Sequence, residues 1–225
     1  MHMHMNESLF RLMSWLSPTY PVGAYSFSHG LEYAVDDGLV SDAESARDWI
    51  ATIMMAGSGF ADLAFVAAAW DSEPAELADL NELALAFQGT AEIRLESTAQ
   101  GRAFCLVTAE AWPCGAIDAL QEIPQDEIVY AVVVGAVARS HGIDRGEAML
   151  AYAHAFAANL VSAAVRLIPL GQTDGQRITA DLMTTCIAAV ERAASTPVDE
   201  ISMSTPMVDI ASMKHEHQYT RLFRS

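Results

Sequence analysis

The chain has 225 residues, 52% of them hydrophobic and 18% charged, and a formal net charge of -17. That length can bury a full core, as one large domain or two small ones, and that apolar share excludes a disordered polymer. The acidic balance argues against a nucleic-acid partner, because most of such a surface repels a phosphate polyanion.

In chain order, MHMHMNESLF has no basic region followed by an apolar stretch, so it is not a secretory signal. Its Met-His alternation carries no weight, and residues 1–8 read as a flexible end. Between Glu32 and Glu82 the only base is Arg47, and the plainer reading of that acidic block is a solvated face. A helix is expected to start near Ser28. Ser41-x-x-Glu44 reads as a capping box for a helix toward Met55, and Ser72 with Pro74 opens another reaching Phe87. A helix is expected from about Ile93 to Ala111, with Leu95, Arg102 and Leu106 on differing faces. Pro124 is expected to start the next, which continues through IVYAVVVGAVA to Ser140 before Gly142.

Asp144-x-x-Glu147 caps an alanine-rich helix to about Leu167, and Thr173-x-x-Gln176 caps one to about Ala194. The run from Ala148 to Val165 is uncharged and near the roughly 18–20 residues that span a bilayer. Its alanines, with Tyr152, His154, Asn159 and Ser162, fit a core helix better, and no membrane is expected. Strand signals are almost absent. The expected fold is all-α: a single-domain helical bundle over residues 9–203, with a tail at 204–225. Small residues (Ala131, Gly135 and Ala138; Ala151, Ala155 and Ala158) place their two helices at its centre.

No chemistry of catalysis emerges. Around Ser28 the nucleophile-elbow pattern fails, because Ser26 stands where its first glycine belongs. A phosphate-binding loop with its lysine is missing, and the only lysine is Lys214. Cys105, Cys114 and Cys186 are scattered without a C-x-x-C, which suits a reducing cytoplasm. His215 and His217 in H-E-H are weak metal candidates, since two residues on a helix diverge by about 200°. No cofactor is expected. What remains is surface recognition, in a rigid loop before a helix (17–38), a tight turn (159–176) and a tail rich in arginine and aromatics.

Three segments carry a resemblance. SPTYPVGAYSFSHGLE, NLVSAAVRLIPLGQTDGQ and HEHQYTRLFRS are similar, in order, to the signature blocks of UreF, the urease accessory protein family. The resemblance implies an all-α cytoplasmic homodimer that is not an enzyme. It implies a scaffold linking the accessory protein UreD (also called UreH) and apo-urease to the GTPase UreG during nickel insertion, with nickel as cargo. The implied partner-binding residues are Pro21, Gly23, Tyr25, Ser26, Ser28 and Glu32 in the first block. The second block contributes Arg166, Pro169, Gly171, Gln172 and Gln176, and the tail His215, Glu216, Tyr219, Arg221, Leu222, Phe223 and Arg224. Arg166 is implied to serve the GTPase face and the tail to serve UreD, as a docking segment whose loss leaves bundle stability nearly unchanged. The alternative reading is a small cytoplasmic nickel-binding protein using its histidine-containing tail.

Overall fold

Side chains that satisfy free N–H groups start several of the helices. The computed structural model describes residues 2–225, with side chains from Glu7 onward, and every regular element among them is helical. In order these are α1 (His2–Trp15), α2 (Leu31–Asp36), α3 (Ala43–Ala56), α4 (Ser58–Asp71), α5 (Leu77–Ala86), α6 (Ala91–Ala111), α7 (Gly115–Leu120), α8 (Tyr130–Ser140), α9 (Arg145–Leu167), α10 (Gln172–Ala194) and α11 (Pro206–His215). Short 3₁₀ turns occupy Ala24–Ser26, Pro74–Glu76 and Val198–Glu200. Of the expected flexible end, Met1 lies outside the described residues and the remainder falls on the first turns of α1.

The all-α expectation holds, and several local boundaries are corrected. The cap of α3 is Asp42, not Ser41: Ser45 N donates to Asp42 Oδ1 at 2.8 Å, and Asp42 N donates to Ser45 Oγ at 3.1 Å. Asp144 does cap α9, accepting from Glu147 N at 3.0 Å. At α10 the donor is Gly171 N and the acceptor Asp174 Oδ2, at 3.0 Å, so the helix begins at Gln172, ahead of the expected Thr173 box. The first turn of α2 begins at Leu31, after a left-handed turn described below. Helix α8 starts at Tyr130 rather than Pro124. The buried Asn81 amide donates to Glu127 O at 2.9 Å and accepts from Val129 N at 2.8 Å. Those bonds satisfy the approach to α8 without helical ones.

The two small-residue helices lie inside the bundle as expected, and they share its centre with α4. Helix α4 has no side-chain cap and follows α3 across Gly57 alone. It buries Phe60, Leu63, Phe65, Val66 and Ala69 around its whole axis, as an interior helix does, with Asp62 its one buried charged residue. Helix α8 packs chiefly on α4, while α9 packs chiefly on α10; the two small-residue helices touch each other less. Gly135 permits the α4–α8 approach, because a Cβ there would overlap the Val66 carbonyl oxygen. Gly135→Ala should therefore cost about 1–3 kcal/mol through forced separation of the two helices. Urea unfolding would read this directly, and an unchanged midpoint would mean that α8 can retreat freely.

Helix α9 is long and apolar enough to cross a membrane by length and composition, and 50% of its most apolar window is buried inside the bundle. It thus serves as a packing wall. Its last turn brings Arg166 to the face where the chain's C-terminal segment lies.

Candidate partner-docking site

The site begins with a turn. His29 has φ 57, the one positive-φ non-glycine residue among those described, and Gly30 follows at φ 77. This left-handed pair turns the chain from Phe27 into α2, and costs backbone strain at the histidine. His29 is held in it by Nδ1 against Glu96 Oε2 at 3.0 Å and Nε2 against Ser58 Oγ at 2.6 Å. Gly30 lets α11 approach closely: a Cβ there would lie 2.9 Å from Ser212 N. Thr90 and Ser212 share a hydroxyl bond of 2.7 Å across the same contact.

With α11 seated, its last residue enters the protein. His215 is fully buried, its Nε2 2.9 Å from Glu32 Oε2 and its Nδ1 2.8 Å from Glu92 Oε2. A neutral imidazole donates from one nitrogen only, so two ionised carboxylates on opposite sides call for the imidazolium. Burial pushes the His215 pKa down, but the hydrogen bonds to Glu92 and Glu32 and their charges outweigh it and hold it above the usual value. Arg221 Nη1 adds a 3.3 Å contact to Glu92.

Beyond α11 the chain crosses the protein as a strap, and Glu32 is its receptor. The Glu32 carboxylate accepts Leu222 N at 2.6 Å and Phe223 N at 2.9 Å, besides His215. Arg224 N donates to Ser26 O at 2.8 Å, and Ser28 donates to Ser225 O from both N (2.5 Å) and Oγ (2.6 Å). The Arg166 guanidinium lies 4.1 Å over the buried Phe223 ring and donates to Tyr25 O at 2.6 Å. Arg224 covers Phe27 at 5.4 Å. Such cation–ring contacts contribute about 0.5–1 kcal/mol each when exposed.

Inward anchoring dictates what faces out. Tyr219 is fully exposed, Tyr25 is 67% exposed and Leu222 64%, beside the exposed Arg221 and Arg224. Of the residues implied by the resemblance, Tyr25, Ser26, Ser28, Glu32, Arg166, His215, Arg221, Leu222, Phe223 and Arg224 converge on one face. Pro21, Glu216, Pro169, Gly171, Gln172 and Gln176 are exposed, and Gly23 is half-buried at a positive-φ turn. The tail itself is a correction: it is anchored at His215, Phe223 and Ser225 rather than loosely docked. His215 is a poor metal candidate because both nitrogens face carboxylates. Among the described residues no group of three or more His, Cys, Asp or Glu could hold a metal ion.

Sequence reasoning missed Glu92, Glu96, His29 and Ser212 as members of this network. The available signal was Glu92 and Glu96 one helical turn apart in α6, close to apolar Ile93.

The UreF family model matches residues 40–183. The chain is 48% identical over 224 residues to the urease accessory protein UreF of Granulibacter bethesdensis, covering 98% of this chain and 95% of that one. It is 45% identical to UreF of Rhodopseudomonas palustris strain BisB5, over 98% and 92% of the two chains. With UreF of Methylorubrum populi it shares 41% identity, over 96% and 98%.

Proposed function

Since the chain belongs to the UreF family of urease accessory proteins, we propose that it is a non-catalytic scaffold of urease maturation in the cytoplasm. In this reading it links a UreD (UreH) accessory protein and apo-urease to the GTPase UreG, and regulates GTP-dependent insertion of nickel. Nickel is cargo, and the chain acts as a homodimer with no cofactor of its own. The observation that carries the reading is the strap: its backbone and buried side chains are fixed by Glu32 and Glu92, leaving Tyr219 and Leu222 presented to solvent. Exposed aromatic and apolar side chains on an ordered support make good interface anchors, because little side-chain freedom is lost on docking.

The geometry also supports one continuous surface for the two partners. Arg166, implied for the GTPase, rests on Phe223 of the strap implied for UreD. Arg166→Ala should therefore weaken both captures, where separate faces would predict loss of UreG alone.

The test is a pull-down with UreD and UreG, each alone and then together. Tyr219→Ala combined with Leu222→Ala should reduce UreD capture by more than about 30-fold, the scale of two interface anchors. The unfolding free energy of that variant should change by no more than about 0.5 kcal/mol, because both side chains are exposed. Undiminished capture would reject the strap as the docking surface.

A further inference from the structure

Beside the strap, α4, α6 and α9 and the loop at 17–25 surround a cavity of about 200 Å³. Part of its wall is polar where a helical core would be apolar. Asp62, Glu96, Ser97, His29 and Tyr152 all line it, and Asp62 and Glu96 are only 8% and 7% exposed. Charge is not balanced there. His29 is bonded to Glu96 at 3.0 Å, whereas Asp62 receives only the neutral Tyr152 phenol, at 2.8 Å. Even with His29 protonated, two carboxylates leave at least one buried negative charge without a cation bonded to it. Burial lifts the Asp62 pKa to about 6, against the Tyr152 hydrogen bond and the His29 charge, so the group is largely ionised at neutral pH. The Ser97 hydroxyl is also buried and has no hydrogen-bond partner, although buried polar groups are normally paired.

The other walls are aromatic and aliphatic. Tyr130, Tyr152 and Phe156 line the cavity, with ring centroids 5.5 Å apart for the first pair and 6.5 Å for the second. Leu16, Val22 and Leu160 complete it. A carboxylate beside aromatic faces suits a cation that is both hydrogen-bonding and apolar. The volume exceeds that of a single ion, at about 30 Å³ per water molecule displaced. No group of three or more His, Cys, Asp or Glu among the described residues could hold a metal.

We propose that this cavity binds a small monovalent organic cation, a primary ammonium on a short alkyl chain, with Asp62 as its carboxylate partner and the tyrosine rings as its wall. The ammonium protons bond Asp62 and the free Ser97 hydroxyl, and the alkyl chain lies along Leu16, Val22 and Leu160. Glu96 also meets the strap, accepting from Ser225 Oγ at 3.4 Å, so an occupant sits one side chain away from the docking surface. This site is independent of the scaffold role, and its failure would leave that reading untouched.

The experiment is calorimetric titration of n-butylammonium chloride into the full-length chain at neutral pH, with ionic strength held by sodium chloride. The expected result is saturable one-to-one binding, weaker for tetramethylammonium, which has no N–H to donate. Asp62→Asn should lower affinity at least about tenfold, the scale of a lost charge-assisted hydrogen bond. Tyr152→Phe, which keeps the carboxylate, should retain binding. Binding by the unaltered chain should also weaken below a pH of about 6, as Asp62 takes up its proton. Heats no different from sodium chloride alone, or equal loss in both variants, would overturn the assignment.

Discussion

Deletion of residues 214–225 is expected to lower the thermal midpoint by about 6–20 °C as well as to abolish partner capture. The deletion breaks the buried network by removing His215, the cation shared by Glu32 and Glu92, and the Leu222 and Phe223 N–H groups that bond Glu32. Breaking a buried ionic network by removing one partner costs about 3–5 kcal/mol, and each kcal/mol moves the midpoint of a chain this size by about 2–4 °C. The deletion also uncovers Ser28, whose N and Oγ both donate to Ser225 O. Scanning calorimetry of the full and shortened chains measures the difference. An unchanged midpoint would show that the strap contributes nothing to the folded state, and the anchoring described above would have to be abandoned.

His215→Ala should reproduce most of that loss, about 3–5 kcal/mol near pH 6, and its cost should shrink as pH rises. The folded imidazole holds its proton above the usual value of 6.5, because Glu92 and Glu32 outweigh the effect of burial. A group whose folded pKa is raised contributes its stability fully below the unfolded value and loses it as pH climbs through the folded one. Stability of the unaltered chain should therefore decline above pH 6.5. His29 carries the same sign: burial lowers its pKa, but Glu96 and the charges of Asp62 and Asp209 raise it further. The raised Asp62 adds a decline between 3.8 and about 6. Urea unfolding from pH 5 to 9 tests this, and a wild-type stability that rises with pH beyond 6.5 would contradict the assigned imidazolium.

The fold class was legible because helix starts leave local marks. Asp144 caps α9 where the pattern placed it, and the alanine-rich run ends at Leu167. Helix α4 left no such mark. Its apolar residues surround the axis, so no periodic face emerges, and its first residue follows Gly57 directly. The start of α8 was misplaced because its approach is held by Asn81, whose sequence position is about fifty residues upstream.

In helix α6 the expected spread of Leu95, Arg102 and Leu106 over differing faces is corrected: seven and eleven residues apart, they share one exposed face. Its buried stripe runs Glu92, Glu96, Gln100, Phe104 and Thr108, while Leu95 and Leu106 are 41% and 47% exposed. Hydrophobic periodicity assumes that polar residues face water. Here His215, Arg221, His29 and Ser225 supply the partners that water would have given. The signature motifs located half of the network, Glu32 and the tail. The acidic receptors on α6 lie outside those motifs and became visible only in three dimensions.

The distance along the chain between Glu32 and its strap has a consequence in time. Glu32 meets His215 across 183 residues and Leu222 across 190. At a synthesis rate of roughly 5–20 residues per second, the receptor waits roughly 9–37 s on the ribosome before its strap has been made. Until then, partially made chains display two unpaired acids in place of Tyr219 and Leu222. Under the docking role proposed for the strap, a chain that has not yet reached Tyr219 and Leu222 lacks the side chains proposed to meet a partner.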